Sequence, residues 1–273
     1  MFSFFKSPGK NKQAYTIAFY NLENLFDTKK DPLILDDDFT PNGNKHWNYK
    51  RYKRKINKLS SVISQIGTER SYFSPAIVGV AEVENDTVLS DLISTINLKN
   101  EHYGVVHYDS PDERGIDVAL LYKKELFELL HSETFTLYIE NEYGERDFTR
   151  DILLVKGNLN GELMHVLINH WPSRRSGEDV SEEKRIKAAE LVTSIVHKIN
   201  EETTNAKIIV MGDFNDNPTN ISVKKYLVNN TFYNPMERLI DTGNGTLNHK
   251  NKWHLFDQII FSKNFIEVEE NKH

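Results

Sequence analysis

Lys207-Ile208-Ile209-Val210-Met211-Gly212-Asp213-Phe214-Asn215-Asp216 is an apolar run that stops abruptly on a polar turn. The run reads as a β-strand ending at Gly212. The same event recurs along the chain. Tyr15 to Tyr20 reads as a strand and stops at Asn21, Ala76 to Ala81 stops at Glu82, and 163–169 stops at His170. Asp257 lies within a further strand, Leu255 to Phe261. Strand ends are rigid, so polar side chains placed there converge on one rim, where function concentrates.

Helical periodicity fills the intervals. Ile56, Leu59, Ile63 and Ile66 share one face, with Gly67 as the stop. Residues 86–98 read as a second helix, with Val88, Leu92, Ile93 and Ile96 apolar. Ser181 to Asn200 is the clearest helix, with Ser181 as its cap and Ile186, Ala189, Val192, Val196 and Ile199 as its buried stripe. Ile116 to Tyr122 is a strand, and 151–156 pairs with 163–169 near Asn160-Gly161. Residues 29–48 read as a loop, with Pro32, Asp36-Asp37-Asp38, Pro41 and Gly43. The pattern predicts a basic flexible tail over 1–14 and one α/β domain over 15–273.

Composition narrows the classes. With 273 residues, 38% hydrophobic and 27% charged, the chain suits a soluble globular domain. No apolar run is long enough to span a bilayer. Met1-Phe2-Ser3-Phe4-Phe5-Lys6 lacks the basic-then-apolar order of a secretory signal, so the expected location is cytoplasmic. There are no cysteines, which excludes disulfides, thiolate nucleophiles and thiolate metal sites. The ten histidines contain no HExxH pair. The net charge of -6 argues against a generally basic nucleic-acid binder. Yet Lys50, Arg51, Lys53, Arg54, Lys55 and Lys58 crowd together. The favoured reading is a solvated helix face, and the alternative is contact with a phosphate backbone. Oligomeric state is left open.

The strand-end residues fit one chemistry. A hard cation such as Mg²⁺ takes oxygen ligands from one or two carboxylates, with waters and phosphate completing the shell, and Glu82 and the Asn21 amide oxygen suit it. Asp213 can accept a proton from an attacking water or align it. Asn215 offers a neutral amide donor, and His170 can donate to a developing oxyanion. Taken singly, each has a blander reading. Asn21 and Asn24 are good turn residues, Glu84 is as good a ligand by type as Glu82, and His170 beside Trp171 suits a core. Their joint occurrence in this order points to phosphoryl chemistry, where positioning and electrostatics do most of the catalysis.

Phe19-Tyr20-Asn21-Leu22-Glu23-Asn24-Leu25-Phe26-Asp27, Val80-Ala81-Glu82-Val83-Glu84-Asn85, Arg114-Gly115-Ile116-Asp117-Val118-Ala119-Leu120-Leu121-Tyr122, Asn169-His170-Trp171-Pro172-Ser173-Arg174 and Gly212 to Asp216 follow one another along the chain. With Phe256-Asp257-Gln258-Ile259-Ile260 as a sixth, this ordered set resembles the endonuclease/exonuclease/phosphatase superfamily, the group of deoxyribonuclease I-like enzymes. The resemblance implies a four-layer α/β sandwich, with two mixed sheets face to face and helices outside. It implies Asn21 and Glu82 at a Mg²⁺ site, with Mn²⁺ as the other candidate. It implies Asp213 and Asn215 at the nucleophile and phosphate, and His170 at the phosphate. Asp257 matches an aspartate that orients a later histidine, Arg114 matches a phosphate contact, and Asp117 matches a residue orienting His170. Arg174 is a further candidate for anion contact, since a guanidinium grips phosphate bidentately.

One departure stands out. The superfamily pattern closes with Ser-Asp-His on a late strand, and no Ser-Asp-His occurs here. The implied domain is therefore C-terminally shortened, with that strand missing. Such a loss removes a transition-state donor and typically costs on the order of two to three decades in rate. Three functions follow from these readings. The first is metal-dependent hydrolysis of a phosphodiester, with nucleic acid as the possible partner. The second is phosphatase action on a small phosphorylated metabolite or phospholipid head group. The third is a non-catalytic fragment that binds metal or phosphate.

Overall fold

Two mixed sheets arise from the apolar runs. In the computed structural model, which describes residues 3–4, 14–141, 143–174 and 177–266, the first sheet contains β1 (Tyr15–Leu25), β2 (Ile77–Val83), β3 (Tyr103–His107) and β4 (Asp117–Lys123). Their order is β1-β2-β4-β3, with Ser3–Phe4 paired outside β1. The rest of the expected tail up to residue 13, 1–2 and 5–13, lies outside the described residues. Strands β1 and β2 are parallel, whereas β4 runs antiparallel to both of its neighbours.

The second sheet begins with β5 (Phe127–Phe135), β6 (Ile152–Leu159), β7 (Glu162–His170), β8 (Ile208–Asp213) and β9 (Phe232–Tyr233). A separate ribbon follows, β10 (Leu247–His249) and β11 (Lys252–His254), before β12 (Asp257–Ser262) returns to the sheet. The order is β9-β12-β8-β7-β6-β5, and its one parallel pair is β7 with β8.

Strand periodicity assigns each face. Ile77 and Ala81 of β2 meet Ile209 and Met211 of β8 in a core between the sheets. Val78 and Val80 point the other way, onto α1 (Tyr49–Gln65) and α2 (Asp86–Ile93). Ile208 and Val210 likewise point outward, onto α3 (Glu178–Glu202). The result is the expected four layers, helix, sheet, sheet, helix. Burial of apolar area on three faces supplies the main driving force. Gly79 sits where the sheets approach closely, because a Cβ there would come within 2.5 Å of the Met211 sulfur.

Several boundaries differ from the sequence reading. Ser181 is not a cap: α3 starts at Glu178, and the Ser181 hydroxyl donates to the Gly177 carbonyl at 2.5 Å inside the first turn. Helix α2 ends at Ile93 rather than continuing to 98. Strand β1 continues past Asn21 to Leu25 through a register shift. Strand β5 had no apolar alternation to announce it, since most of its residues are exposed or half-buried.

Candidate active site

Register builds the site. His170 on β7 pairs with Asp213 on β8, which pairs with Asp257 on β12. Residues paired across neighbouring strands point to the same face, so these three form a row. Gly212 lets the row close up, because a Cβ there would lie 2.2 Å from the Asn169 carbonyl oxygen. The first sheet supplies Asn21 from β1 and Glu82 from β2. Glu82 adopts a left-handed backbone, φ 62°, at a register shift between β2 and β4. Such a conformation is uncommon for glutamate, and bulges of this kind re-aim side chains beside active sites. Asn215 is also left-handed, φ 51°, a conformation asparagine tolerates well.

Hydrogen bonds interlock these groups. Asn21 Nδ2 donates to Asp213 Oδ2 at 3.0 Å, and the Asn215 backbone N–H donates to Asp213 Oδ1 at 2.9 Å. Asn215 Nδ2 donates to the Trp171 carbonyl at 2.9 Å, and the Asn21 side-chain oxygen Oδ1 accepts from the Glu23 backbone N–H at 2.8 Å. His170 Nε2 lies 3.8 Å from Glu82 Oε1. Burial raises the Asp213 pKa, against the two N–H donors that lower it. Asp257 is also raised, to about 7, first by burial and then by the Asp213 charge. Its Oδ1 is buried with no hydrogen-bond partner among the described residues. Three carboxylates, one of them with an orphaned oxygen, suit a cation, and Asn21 adds an amide oxygen.

Asn21, Glu82, Arg114, His170, Arg174, Asp213, Asn215 and Asp257 all line one cleft of about 1070 Å³. Asp117 does not. Its Oδ1 accepts from the Ser110 backbone N–H at 2.9 Å and hydroxyl at 2.5 Å, and its Oδ2 lies 3.1 Å from His107 Nε2. The expectation that it orients His170 is therefore corrected: the start of β4 faces β3 and the following loop, and both oxygens are engaged there. Among the described residues, His107, Asp109 and Asp117 form the one group of histidine and acid ligand atoms all within 4.8 Å of one another, and it lies outside the cleft lining.

Arg114 reaches the cleft and donates to Asn24 Oδ1. Arg174 braces the Asp213 turn. Its Nε donates to the Asn215 carbonyl at 2.8 Å, its Nη2 pairs with Asp216 at 2.5 Å, and its guanidinium lies 5.0 Å from the Phe256 ring. Asp216 is fully buried and also pairs with Arg185 at 2.7 Å and accepts from Ser222 at 2.5 Å. Asp216 thus anchors the turn from beneath.

Sequence reasoning missed Arg150. It is buried, pairs with Asp112 at 3.1 Å, and donates to the Trp171 carbonyl at 2.7 Å. It thereby ties the loop before Arg114 to the end of β7, and its charge lowers the Asp213 pKa. A cation just before an apolar strand was the available signal. Lys45, Trp47, Arg51 and His254 also line the cleft, from segments read as a loop, a solvated helix face or no element at all.

A model of the Endonuclease/Exonuclease/phosphatase family matches residues 16–273. No curated protein sequence matches. Solved structures share the fold. A Bacteroides thetaiotaomicron mannosyl-6-phosphatase superposes with TM-score 0.59 at 19% identity, covering 91% of this chain and 85% of that one. D. rerio TDP2 complexed with a single-strand DNA product gives 0.55 at 16% identity, covering 90% and 82%. The human Nocturnin catalytic domain with bound sulfate gives 0.51 at 19% identity, covering 69% and 70%.

Proposed function

The chain belongs to the endonuclease/exonuclease/phosphatase family, and on that premise we propose that it is a divalent-metal-dependent hydrolase of phosphodiesters, with nucleic acid as its substrate class. The observation that carries this reading is the row His170, Asp213 and Asp257 sharing one cleft with Asn21 and Glu82. Glu82 and the Asn21 amide oxygen would hold Mg²⁺ or Mn²⁺, whose charge would polarise the phosphoryl oxygen and offset charge on the leaving oxygen.

The chain's own groups do the rest. Asp213 takes a proton from the attacking water, and burial keeps its carboxylate basic enough to do so. The Asn21 amide and the Asn215 backbone N–H hold that carboxylate in place. Asn215 gives one amide hydrogen to the Trp171 carbonyl and retains the other for a phosphate oxygen. His170 donates to the developing oxyanion. Asp257, opposite Asp213, shares in its protonation and adds a carboxylate oxygen once ionised. Arg114 contacts a non-reacting phosphate oxygen, and Arg174 acts through the turn it braces.

Nucleic acid is favoured by the likeness to a fold solved with a single-strand DNA product. A phosphomonoester is the second reading, favoured by the likeness to a mannosyl-6-phosphatase. Plasmid DNA, RNA and a panel of sugar phosphates, each incubated with Mg²⁺, Mn²⁺ or EDTA, separate the two. Metal-dependent strand cleavage lost in Asp213→Ala supports the first, and phosphate release with intact strands supports the second. Turnover of none of them, with metal still bound, leaves the non-catalytic reading.

A further inference from the structure

The wall of the cleft contributed by residues 45–51 carries charge that the reacting row does not use. Lys45 and Arg51 are both exposed and both line the cleft. Neither has a carboxylate partner among the described residues. Arg51 Nη1 donates to the Lys45 carbonyl at 2.5 Å, and its guanidinium lies 5.9 Å from the Trp47 ring. That contact holds Arg51 against the backbone of Lys45 and engages no carboxylate, so both charges remain uncompensated among the described residues.

The neighbouring acids are engaged elsewhere. Asp36 and Asp37 pair with Lys30 at 2.7 and 3.0 Å, and Asp38 accepts from Asn44 at 2.7 Å. Lys53 pairs with Asp91 at 3.1 Å on the far side of α1. Glu23 also lines the cleft, and its charge and that of Glu82 act on Lys55, whose ammonium donates to the Glu23 and Asn24 carbonyls. The basic segment therefore divides by function. Of these four cations, Lys53 is neutralised, Lys55 is tied to β1, and Lys45 and Arg51 flank the opening.

We propose that Lys45 and Arg51 form a second anion subsite, which takes a phosphate on the substrate other than the one hydrolysed. This rests on the phosphoester reading of the row across the cleft. The spacing is suitable: a cavity of this volume, treated as a sphere, is about 13 Å across, so one ligand can touch both walls. Trp47 is buried and donates its indole N–H to the Phe26 carbonyl at 3.0 Å, so the platform under Arg51 is rigid. A guanidinium fixed in orientation suits a phosphate better than a mobile one. The second phosphate can belong to the next unit of a strand or to the same small molecule, and the chemistry is shared.

The test is equilibrium binding in Mg²⁺ of three probes: thymidine 5′-monophosphate, thymidine 3′,5′-bisphosphate and the dinucleotide pTpT. The intact chain should bind at least one two-phosphate probe about tenfold or more tighter than the monophosphate. The double variant Lys45→Gln/Arg51→Gln should lose that preference while keeping monophosphate affinity within about twofold. Arg51→Lys, which keeps the charge, should retain part of it. A preference for pTpT alone assigns the phosphate to a strand, and one for the bisphosphate alone assigns it to a small molecule. Equal affinity for all three probes in the intact chain, or a preference that survives in the double variant, overturns the subsite. Hydrolysis of bis(p-nitrophenyl) phosphate, with Asp213→Asn as control, is scored separately. Failure of that reaction alone strikes the catalytic reading, and failure of the binding preference alone strikes the subsite.

Discussion

Asp117 and Asp257 begin one strand in each sheet, β4 and β12, and in sequence they look alike. Each precedes an apolar run. The fold treats them in opposite ways. Asp117 is enclosed by Ser110 and His107, and both of its oxygens are engaged. Asp257 has a buried oxygen with no partner and faces the charge of Asp213 across the register. A satisfied buried carboxylate stabilises the structure around it. An unsatisfied one is costly to the fold, and such groups recur where a site awaits a ligand. The contrast separates carboxylates that hold the molecule together from those available to chemistry.

The largest expected effect lies on the chemical side of this contrast. Asp213→Asn should lower kcat for metal-dependent phosphoester hydrolysis by about two to four decades, the usual range for losing a general base. Asp117→Asn should leave kcat within about one decade, because its partners lie outside the cleft. Steady-state rates on one substrate, with thermal melts of each variant, make the comparison. Similar losses from both would show that the division between the two carboxylates has no catalytic meaning.

Legibility in the sequence follows the same division. The row was readable because each residue sits where an apolar run ends, and strand register does the rest. Asn21, Glu82, His170 and Asp213 needed only an apolar strand run and a polar stop. Asp117 misled because strand position does not reveal which neighbours fill a side chain's valences. That depends on the loop 108–116 and on β3, a strand that periodicity did not announce. Arg150 escaped because a buried ion pair with Asp112 joins residues far apart in the chain. The basic segment 50–58 was assigned to a solvated face. That holds for Lys50, Arg54 and Lys58, which are exposed and outside the cleft lining, but Arg51 turns inward to the cleft. A one-residue difference in helical phase decides this, and charge clustering does not encode it.

The second prediction tests the cost of the unsatisfied carboxylate. The Asp257 pKa is raised in the folded state to about 7, from an ordinary carboxylate value of 3.8. Between those values the folded state binds more protons than the unfolded chain, so stability falls as pH rises. Asp257→Asn removes the charge and should therefore stabilise the metal-free protein at pH 8, by up to ~4 kcal/mol, and have little effect at pH 4. Urea titrations at both pH values measure it. A gain at pH 4 as large as that at pH 8 would remove charge burial as the cause. Added Mg²⁺ should narrow the difference between wild type and variant, since a bound cation supplies the missing compensation.

The smallest effect concerns the satisfied side, and its sign comes from a base. His107 lies between two carboxylates, 2.9 Å from Asp86 and 3.1 Å from Asp117. Burial lowers its pKa, but the Asp117 and Asp86 contacts outweigh that and leave it raised above 6.5. For a base with a raised folded pKa, the stabilisation is fully present below the unfolded value and is lost as pH rises through the folded one. His107→Asn should thus cost about 2 kcal/mol at pH 5.5, in the range for a charge-assisted hydrogen bond, and clearly less at pH 8.5. Both carboxylate environments therefore weaken the fold as pH rises, but for opposite reasons. Near Asp257 the cost of a buried charge grows, with repulsion from Asp213 adding to it, and near Asp117 an attraction fades. The two variants separate these causes, because Asp257→Asn should flatten the pH dependence by raising stability at high pH, whereas His107→Asn should flatten it by lowering stability at low pH. A His107→Asn cost that is the same at both pH values would mean that folding does not raise the imidazole pKa, and the Asp117 cluster would then hold without a charge-assisted contribution.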